Sequence, residues 1–329
     1  MPIATSSTAT FRQGIYKSAL VRKVTRWLDA SAHPPLALEI SLDRVAGARW
    51  TRNGSLDHYA VEELPDGALV PSAVEANIVN ADAVKSAVTS VFRSLGAHDE
   101  SIALILPDPV IRVFLQHFDQ FPRNPLEAFP MLRWKLKKSV PFEADETLIS
   151  YMRQAPQEDG VDVVTALARL RIIREYEVLA ESAGLHPGVV LNSSLAAVAL
   201  LEEHRPILLA RVSGSSLTTA IVREGVLRGY RCTELPARGK DLTPEMLLEE
   251  IYPVAAYYQD TWHEGVQSVR VAGLGVRLQE FVRPLEDEFH CEVRSLMQVA
   301  AADPRVPDDM KPLAERDLDG LVGWILHRN

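Results

Sequence analysis

Two stretches of the chain repeat one pattern of apolar and polar positions. Residues 36–54, LALEISLDRVAGARWTRNG, run as an apolar strand, a polar turn, a returning strand and Asn53-Gly54. Residues 207–225, ILLARVSGSSLTTAIVREG, do the same and close on Glu224-Gly225. Apolar runs broken by short turns of small or polar residues predict hairpins. One such hairpin opening each half of the chain points to an internal duplication. After the first hairpin a third strand near residues 58–64 leads into the turn Pro65-Asp66-Gly67. Residues 81–95 set Val84, Val88, Val91, Phe92 and Leu95 at helical spacing, with Asn80 as N-cap and Gly96 just past the end. Residues 102–106, IALIL, have the continuous apolar character of a buried strand and stop at Pro107-Asp108-Pro109.

The next stretch predicts a strand at 110–118, a helix at 126–138 and two strands at 148–152 and 161–168, with a polar loop at 154–160 between the last two. A helix at 174–183 ends on Gly184-Leu185-His186-Pro187. Beyond the second hairpin, Thr243 and Pro244 are a good N-cap and first helical residue for a helix reaching about Trp262, with a kink expected at Pro253. Residues 269–275, VRVAGLG, read as a strand and a Gly-rich turn. Helices follow at 278–289 and 318–326, with a loop at 304–312.

A length of 329 residues leaves room for two lobes with buried cores. The net charge of −9 argues against a general nucleic-acid binder. Cys232 and Cys291 form neither a metal-ligand spacing nor a disulfide framework, which suits a reducing cytoplasm. The apolar run 195–201 is far too short to span a bilayer, and the polar N-terminus lacks the apolar core of a signal peptide. Residues 16–29, beginning at Tyr16 and ending at Asp29, form a basic amphipathic helix. Leu20, Val21, Val24, Trp27 and Leu28 lie opposite Arg22, Lys23 and Arg26, a pattern that suits either an anionic membrane surface or packing on the body. Arg133, Lys135, Lys137 and Lys138 crowd the end of the 126–138 helix. The helix dipole favours them there, and they face solvent, acidic lipid or a partner.

Several features in order carry a resemblance. They are Leu104-Ile105-Leu106-Pro107 leading to Arg112, then Phe121-Pro122, then a helix ending in Val140-Pro141-Phe142 with acidic residues and Tyr151, then Ala183-Gly184-Leu185-His186-Pro187. From about Leu36 onward the chain resembles the PilM family of type IV pilus assembly proteins. It is more distantly similar to the cell-division protein FtsA and to the cytoplasmic part of the secretion protein GspL. The resemblance implies an α/β chain with an actin-like (ribonuclease-H-like) two-lobed fold and an inserted strand-helix-strand-strand subdomain. Residues 1–34 would be an extension, 35–204 the first lobe with the insertion at about 108–170, and 205–329 the second lobe. Only residues 232–242 separate Arg231 from the helix at Thr243, so the fourth subdomain is expected to be reduced or missing.

In that superfamily each hairpin carries Asp-x-Gly, and the two turns grip phosphates and a magnesium ion. Here the first hairpin reads Glu39-Ile40-Ser41 and the second Arg211-Val212-Ser213. A fixed cation does not ligate magnesium, and Ser at both Gly positions adds a side chain where phosphate would approach. The candidate nucleotide-site residues are therefore Ser41, Ser213, Gly214, Ser215, Gly273 and Gly275, with no catalytic and no metal-binding residue. The Ser213–Ser216 turn with Arg211 is a candidate metal-free phosphate site, the alternative being a plain hairpin with Arg211 ion-paired or exposed. The expected function is a cytoplasmic scaffold peripheral to the inner membrane that does not hydrolyse ATP. The resemblance implies a PilN-like bitopic membrane partner, gripped by its cytosolic peptide, and contact with pilus motor ATPases. The alternatives are an actin-like ATPase with a rebuilt magnesium site and a GspL-like secretion protein.

Overall fold

The computed structural model describes residues 34–51, 54–96, 100–137, 139–140, 146–157, 160–201 and 204–326. The amphipathic helix expected at residues 16–29 lies outside them. The chain enters as β1 (Leu36–Ile40), β2 (Arg44–Trp50) and β3 (Leu56–Glu63), an antiparallel meander. Helix α1 (Ala81–Ser94) follows, with the Asn80 side chain accepting from the Ala83 N–H as its cap. Strand β4 (Glu100–Leu106) then pairs parallel to β1.

The chain next leaves this sheet for a small antiparallel one. It is built from β5 (Arg112–Phe118), helix α2 (Pro125–Leu136), β6 (Thr147–Gln157) and β7 (Gly160–Arg169), in strand order β5-β7-β6. Helix α3 (Leu170–Ser182) returns to the first lobe. There β8 (Leu185–Asn192) completes the order β3-β2-β1-β4-β8, and the short helix α4 (Ser193–Ala197) follows. The second lobe repeats the plan. Strands β9 (Ile207–Ser213), β10 (Ser216–Arg223) and β11 (Val226–Glu234) form a meander. One long helix, α5 (Pro244–Trp262), leads to β12 (Ser268–Ala272), α6 (Leu278–Phe289) and β13 (Glu292–Ser295), in order β11-β10-β9-β12-β13. The chain ends in α7 (Leu296–Ala302), α8 (Lys311–Ala314) and α9 (Asp319–Leu326).

Each lobe has its own apolar core. Sheet residues such as Leu38, Leu104 and Leu106 pack on Val88, Phe92, Ile172 and Tyr176 in the first lobe. Leu208, Ala210 and Val271 pack on Ile251, Tyr258, Phe281 and Leu285 in the second. A third core fills the space between the lobes. It joins Ala37, Ala103 and Ile105 to Leu209 and Ala220 through α4, α7, α8 and α9. Helix α9, DGLVGWIL, is apolar on every side and buried along its whole length, as such a helix must be. It crosses α4 so closely that a Cβ at Gly323 would lie 2.1 Å from the Ala196 carbonyl oxygen.

Several elements depart from the sequence reading. Residues 154–157 of the expected polar loop belong to β6, and β7 starts at Gly160; the buried Gln154 side chain donates to the Leu227 carbonyl of the second lobe. Helix α3 starts at Leu170 rather than Arg174. Within the expected loop at 304–312 a 3-10 turn forms at Asp308–Met310 and α8 starts at Lys311, with Met310 and Leu313 in the interlobe core. Among the described residues no helix is long and apolar enough to cross a membrane.

The crossing at Gly323 gives a direct prediction. Gly323→Ala should cost roughly 1–3 kcal/mol or more, since the methyl meets backbone and not a movable side chain. A denaturation midpoint within error of the wild type would contradict this packing.

Candidate functional site

The hairpins place their fourth and fifth positions by register. Glu39 faces Ala46 across β1–β2, and Arg211 faces Thr218 across β9–β10. The Ser41 N–H bonds the Arg44 carbonyl, while Ser213 pairs with Ser216. Glu39 and Arg211 are thus equivalent points of the two lobes, both at the inner end of a buried strand.

The structure brings them together. The Arg211 guanidinium grips Asp319 at two points, Nε to Oδ2 at 2.6 Å and Nη2 to Oδ1 at 3.1 Å. Its other contacts are looser, Nη1 to Asp108 Oδ2 and Nη2 to Glu39 Oε1, both at 3.4 Å. All four side chains are buried, Arg211 being 7% exposed. Asp108 is held from both lobes. It accepts from the Ser194 N–H at 2.9 Å and hydroxyl at 2.6 Å in the first lobe, and from the Thr218 hydroxyl at 2.9 Å in the second. Asp319 opens α9, where the helix dipole favours an anion. Arg44 secures the approach to α9 by donating to the carbonyls of Arg316 and Asp317. The Glu39 carboxylate lies flat on Gly320, where a Cβ would sit 2.7 Å from Oε1.

One guanidinium serves three carboxylates, so the charges do not balance. Burial alone would push Arg211 down, but the three carboxylates outweigh it and hold the group charged. Glu39 lacks the further bonds that hold Asp108, and its Oε2 has no hydrogen-bond partner. Burial and the nearby Asp319 push Glu39 up from 4.5 to about 7. Glu39 is therefore the cage member that takes up a proton.

Around this cage runs a cleft of about 1200 Å³. Ser41, Ser213, Gly214, Ser215, Gly273 and Gly275 all line it. Their surroundings explain three of them, Ser41, Gly214 and Gly273, without a ligand. The Ser41 hydroxyl closes its own turn by donating to the Arg44 carbonyl. Leu42, at the tip of the first turn, packs on Gly214 at the tip of the second, where a Cβ would be 2.6 Å from its Cδ2. Gly273 lets β12 pass β9, since a Cβ there would lie 1.8 Å from the Val212 carbonyl oxygen. Of the two readings of Arg211, the structure shows the ion-paired one: its guanidinium is engaged by carboxylates. Asp108 and Asp319 escaped the sequence reading. The signal for them was Arg211 itself, because a cation on an apolar strand requires buried acids.

This donor set does not suit a magnesium-bound triphosphate. A dication among these carboxylates would share their space with a fixed guanidinium, and Leu42 meets Gly214 across the gap between the two turns. Among the described residues there is also no group of three His, Cys, Asp or Glu placed to hold a metal ion.

Two outcomes follow. Arg211→Met strands three buried acids and should lower unfolding stability by about 3–5 kcal/mol in denaturant titration, where a loss under about 1 kcal/mol would contradict the cage. The raised Glu39 pKa means that proton uptake stabilises the fold, fully below about pH 4.5 and less and less as pH rises through about 7. The Tm of the wild type relative to Glu39→Gln should therefore fall across that window, and a pH-independent difference would show that Glu39 does not titrate there.

No protein-family model and no curated protein matches this sequence. Solved structures do match. The chain is similar to a structure described as the PilM-PilN type IV pilus biogenesis complex, with TM-score 0.68 and 17% identity over 91% of this chain and 99% of that one. Weaker likenesses include a Bacteroides thetaiotaomicron protein with an actin-like ATPase fold and unknown function, at TM-score 0.48, 9% identity and coverage of 83% and 97%. Another is the cytoplasmic domain of EpsL, an inner membrane component of the Vibrio cholerae type II secretion system, at TM-score 0.46, 11% identity and coverage of 81% and 92%. With its twice-repeated strand order and its inserted strand-helix-strand-strand subdomain, the chain has the two-lobed actin-like fold.

Proposed function

We propose that this chain is a docking scaffold of a type IV pilus-like or related secretion assembly, and that it works without hydrolysing ATP. The observation that carries this reading is the contrast along one cleft: its centre is filled by the Arg211 cage while its outer arm stays open. That arm runs between the loop at residues 66–74 and the start of β5 at residues 111–114. Val70 is 52% exposed there, beside Pro71, Val74 and Phe114. Arg112 is exposed, with no hydrogen-bond or ion-pair partner among the described residues.

The loop wall is rigid. Buried Asn77 accepts from the Ser72 N–H and donates to the carbonyls of Ser72 and Glu75. The Tyr176 hydroxyl donates to the same Asn77 side chain at 2.9 Å. Arg169 and Arg171 both hold the Val74 carbonyl. A groove formed before its ligand arrives avoids the entropy of ordering a loop. Apolar walls with one free cation suit a short extended peptide carrying apolar side chains and an acidic group. The likeness to the PilM-PilN complex supports choosing a PilN-like bitopic membrane protein as the owner of that peptide. The scaffold would then sit at the cytoplasmic face of the inner membrane, anchored by its partner's span.

Calorimetric titration of the full chain with the cytosolic tail of the bitopic protein encoded beside it tests this. Binding at tens of micromolar or tighter is expected, weakened at least about tenfold by Val70→Asp or Arg112→Glu. Absence of binding at that concentration, or binding indifferent to both substitutions, would overturn the docking reading.

A further inference from the structure

Helix α2 carries two apolar stripes. Ala128, Leu132 and Leu136 are buried against Phe118 and Val163 of the small sheet and Phe121 just after β5. Leu126, Pro130 and Trp134 stand two residues earlier, hence roughly 200° around the helix, and share the opposite face. Leu126 is 83% exposed and Trp134 81%, with Met131 partly exposed beside them. The other face of the small sheet, with Val113, Val164 and Leu115, joins the interlobe core. Helix α2 is therefore the outermost layer of the inserted subdomain, and among the described residues nothing covers its second stripe.

The charge around that stripe is opposite to that of the whole chain. The protein carries −9, yet Arg123, Arg133 and Lys137 are exposed on α2 and its lead-in without ion-pair partners among the described residues. Lys135 is drawn inward, its Nζ donating to the His117 carbonyl at 2.9 Å and lying over the Phe118 ring. Glu127 is the lone acid of the helix, and the Asn124 side chain meets it at 3.4 Å.

We infer that this face of α2 is a direct contact with an anionic lipid surface. A narrow file of Leu, Met and Trp between unpaired cations is the pattern of a helix lying at a membrane interface. The indole seats at headgroup depth, the aliphatic residues enter the acyl boundary and the cations meet lipid phosphates. Net repulsion of an acidic protein from such a surface would also orient it, leaving α2 as the approach side. This goes beyond the peptide-docking reading and does not depend on it. A single short helix binds weakly, so the contact would reinforce an anchor supplied by a partner and set the angle at which the body stands on the membrane.

Co-sedimentation of the full chain with vesicles tests it, using phosphatidylcholine alone and phosphatidylcholine with about a third phosphatidylglycerol. Binding is expected to the second vesicle and not the first, and to weaken with salt. Leu126→Glu with Trp134→Glu should cut it at least about fivefold, as should Arg133→Glu with Lys137→Glu, while Trp134→Phe retains it. All these side chains are exposed, so the variants should keep the wild-type Tm, which is measured alongside. Three results would overturn the inference. They are no binding by the wild type, binding that survives both charge and apolar variants (as when residues 16–29 carry it), or a vesicle-independent fall in oligomeric mass in the variants, which would assign the face to a second copy of the chain.

Discussion

A single buried guanidinium holds this molecule in its shape. Arg211 extends from the second lobe into three carboxylates supplied by other parts of the chain: Glu39 on β1, Asp108 after β4 and Asp319 at the head of α9. Each partner drags further structure into place. Asp108 fixes Ser194 and Thr218 across the lobes, Asp319 positions α9, and Glu39 requires the bare backbone of Gly320. Removing water from four ionisable groups is costly, and the arrangement is tolerable because most lone pairs and N–H groups find partners. The shortfall falls on Glu39, whose carboxyl is pushed up to about 7 by burial and by Asp319.

Two lobes hinged around a nucleotide use the ligand as the bridge between them. In this chain the bridge is made of side chains. The inserted subdomain adds a second span, with Gln154 exchanging hydrogen bonds with the Leu227 backbone and Asp162 meeting Arg228. Below both lies a continuous apolar core shared by the lobes. The lobes are thus joined by the chain's own side chains, and it is on such a joined body that the proposed docking surfaces would lie. The groove beside Val70 and the outward face of α2 both lie on the first lobe and its insertion, and each is held by contacts that do not involve the cleft centre.

Much of this was legible in the chain. The hairpins announced themselves through apolar runs broken at Ser41-Leu42-Asp43 and Ser213-Gly214-Ser215, and the helices through their stripes and caps. The damage to the nucleotide signature was visible as Arg211 on a strand of apolar residues. What the damage had been replaced by was not. Asp108 and Asp319 lie 103 and 108 residues from Arg211, in a Pro-Asp-Pro turn and a helix start, contexts in which an Asp is ordinary. Local pattern carries no information on such long-range pairing. The strand character of residues 154–157 was hidden for a related reason, since the polar Gln154 looks like loop until Leu227 of the other lobe is placed against it. The small residues of the cleft were readable as a group, yet their cause, the approach of Leu42 to Gly214 and of Val212 to Gly273, is tertiary.

The central claim is that a side-chain cation has taken the place of the metal-bound phosphates between the lobes. Titrating the wild-type chain calorimetrically with Mg-ATP tests it most directly. The account predicts no saturable heat at concentrations up to about 1 mM, a limit corresponding to roughly 4 kcal/mol of binding free energy. Magnesium-dependent binding in the micromolar range, with ATP seated between the two hairpin turns, would contradict it.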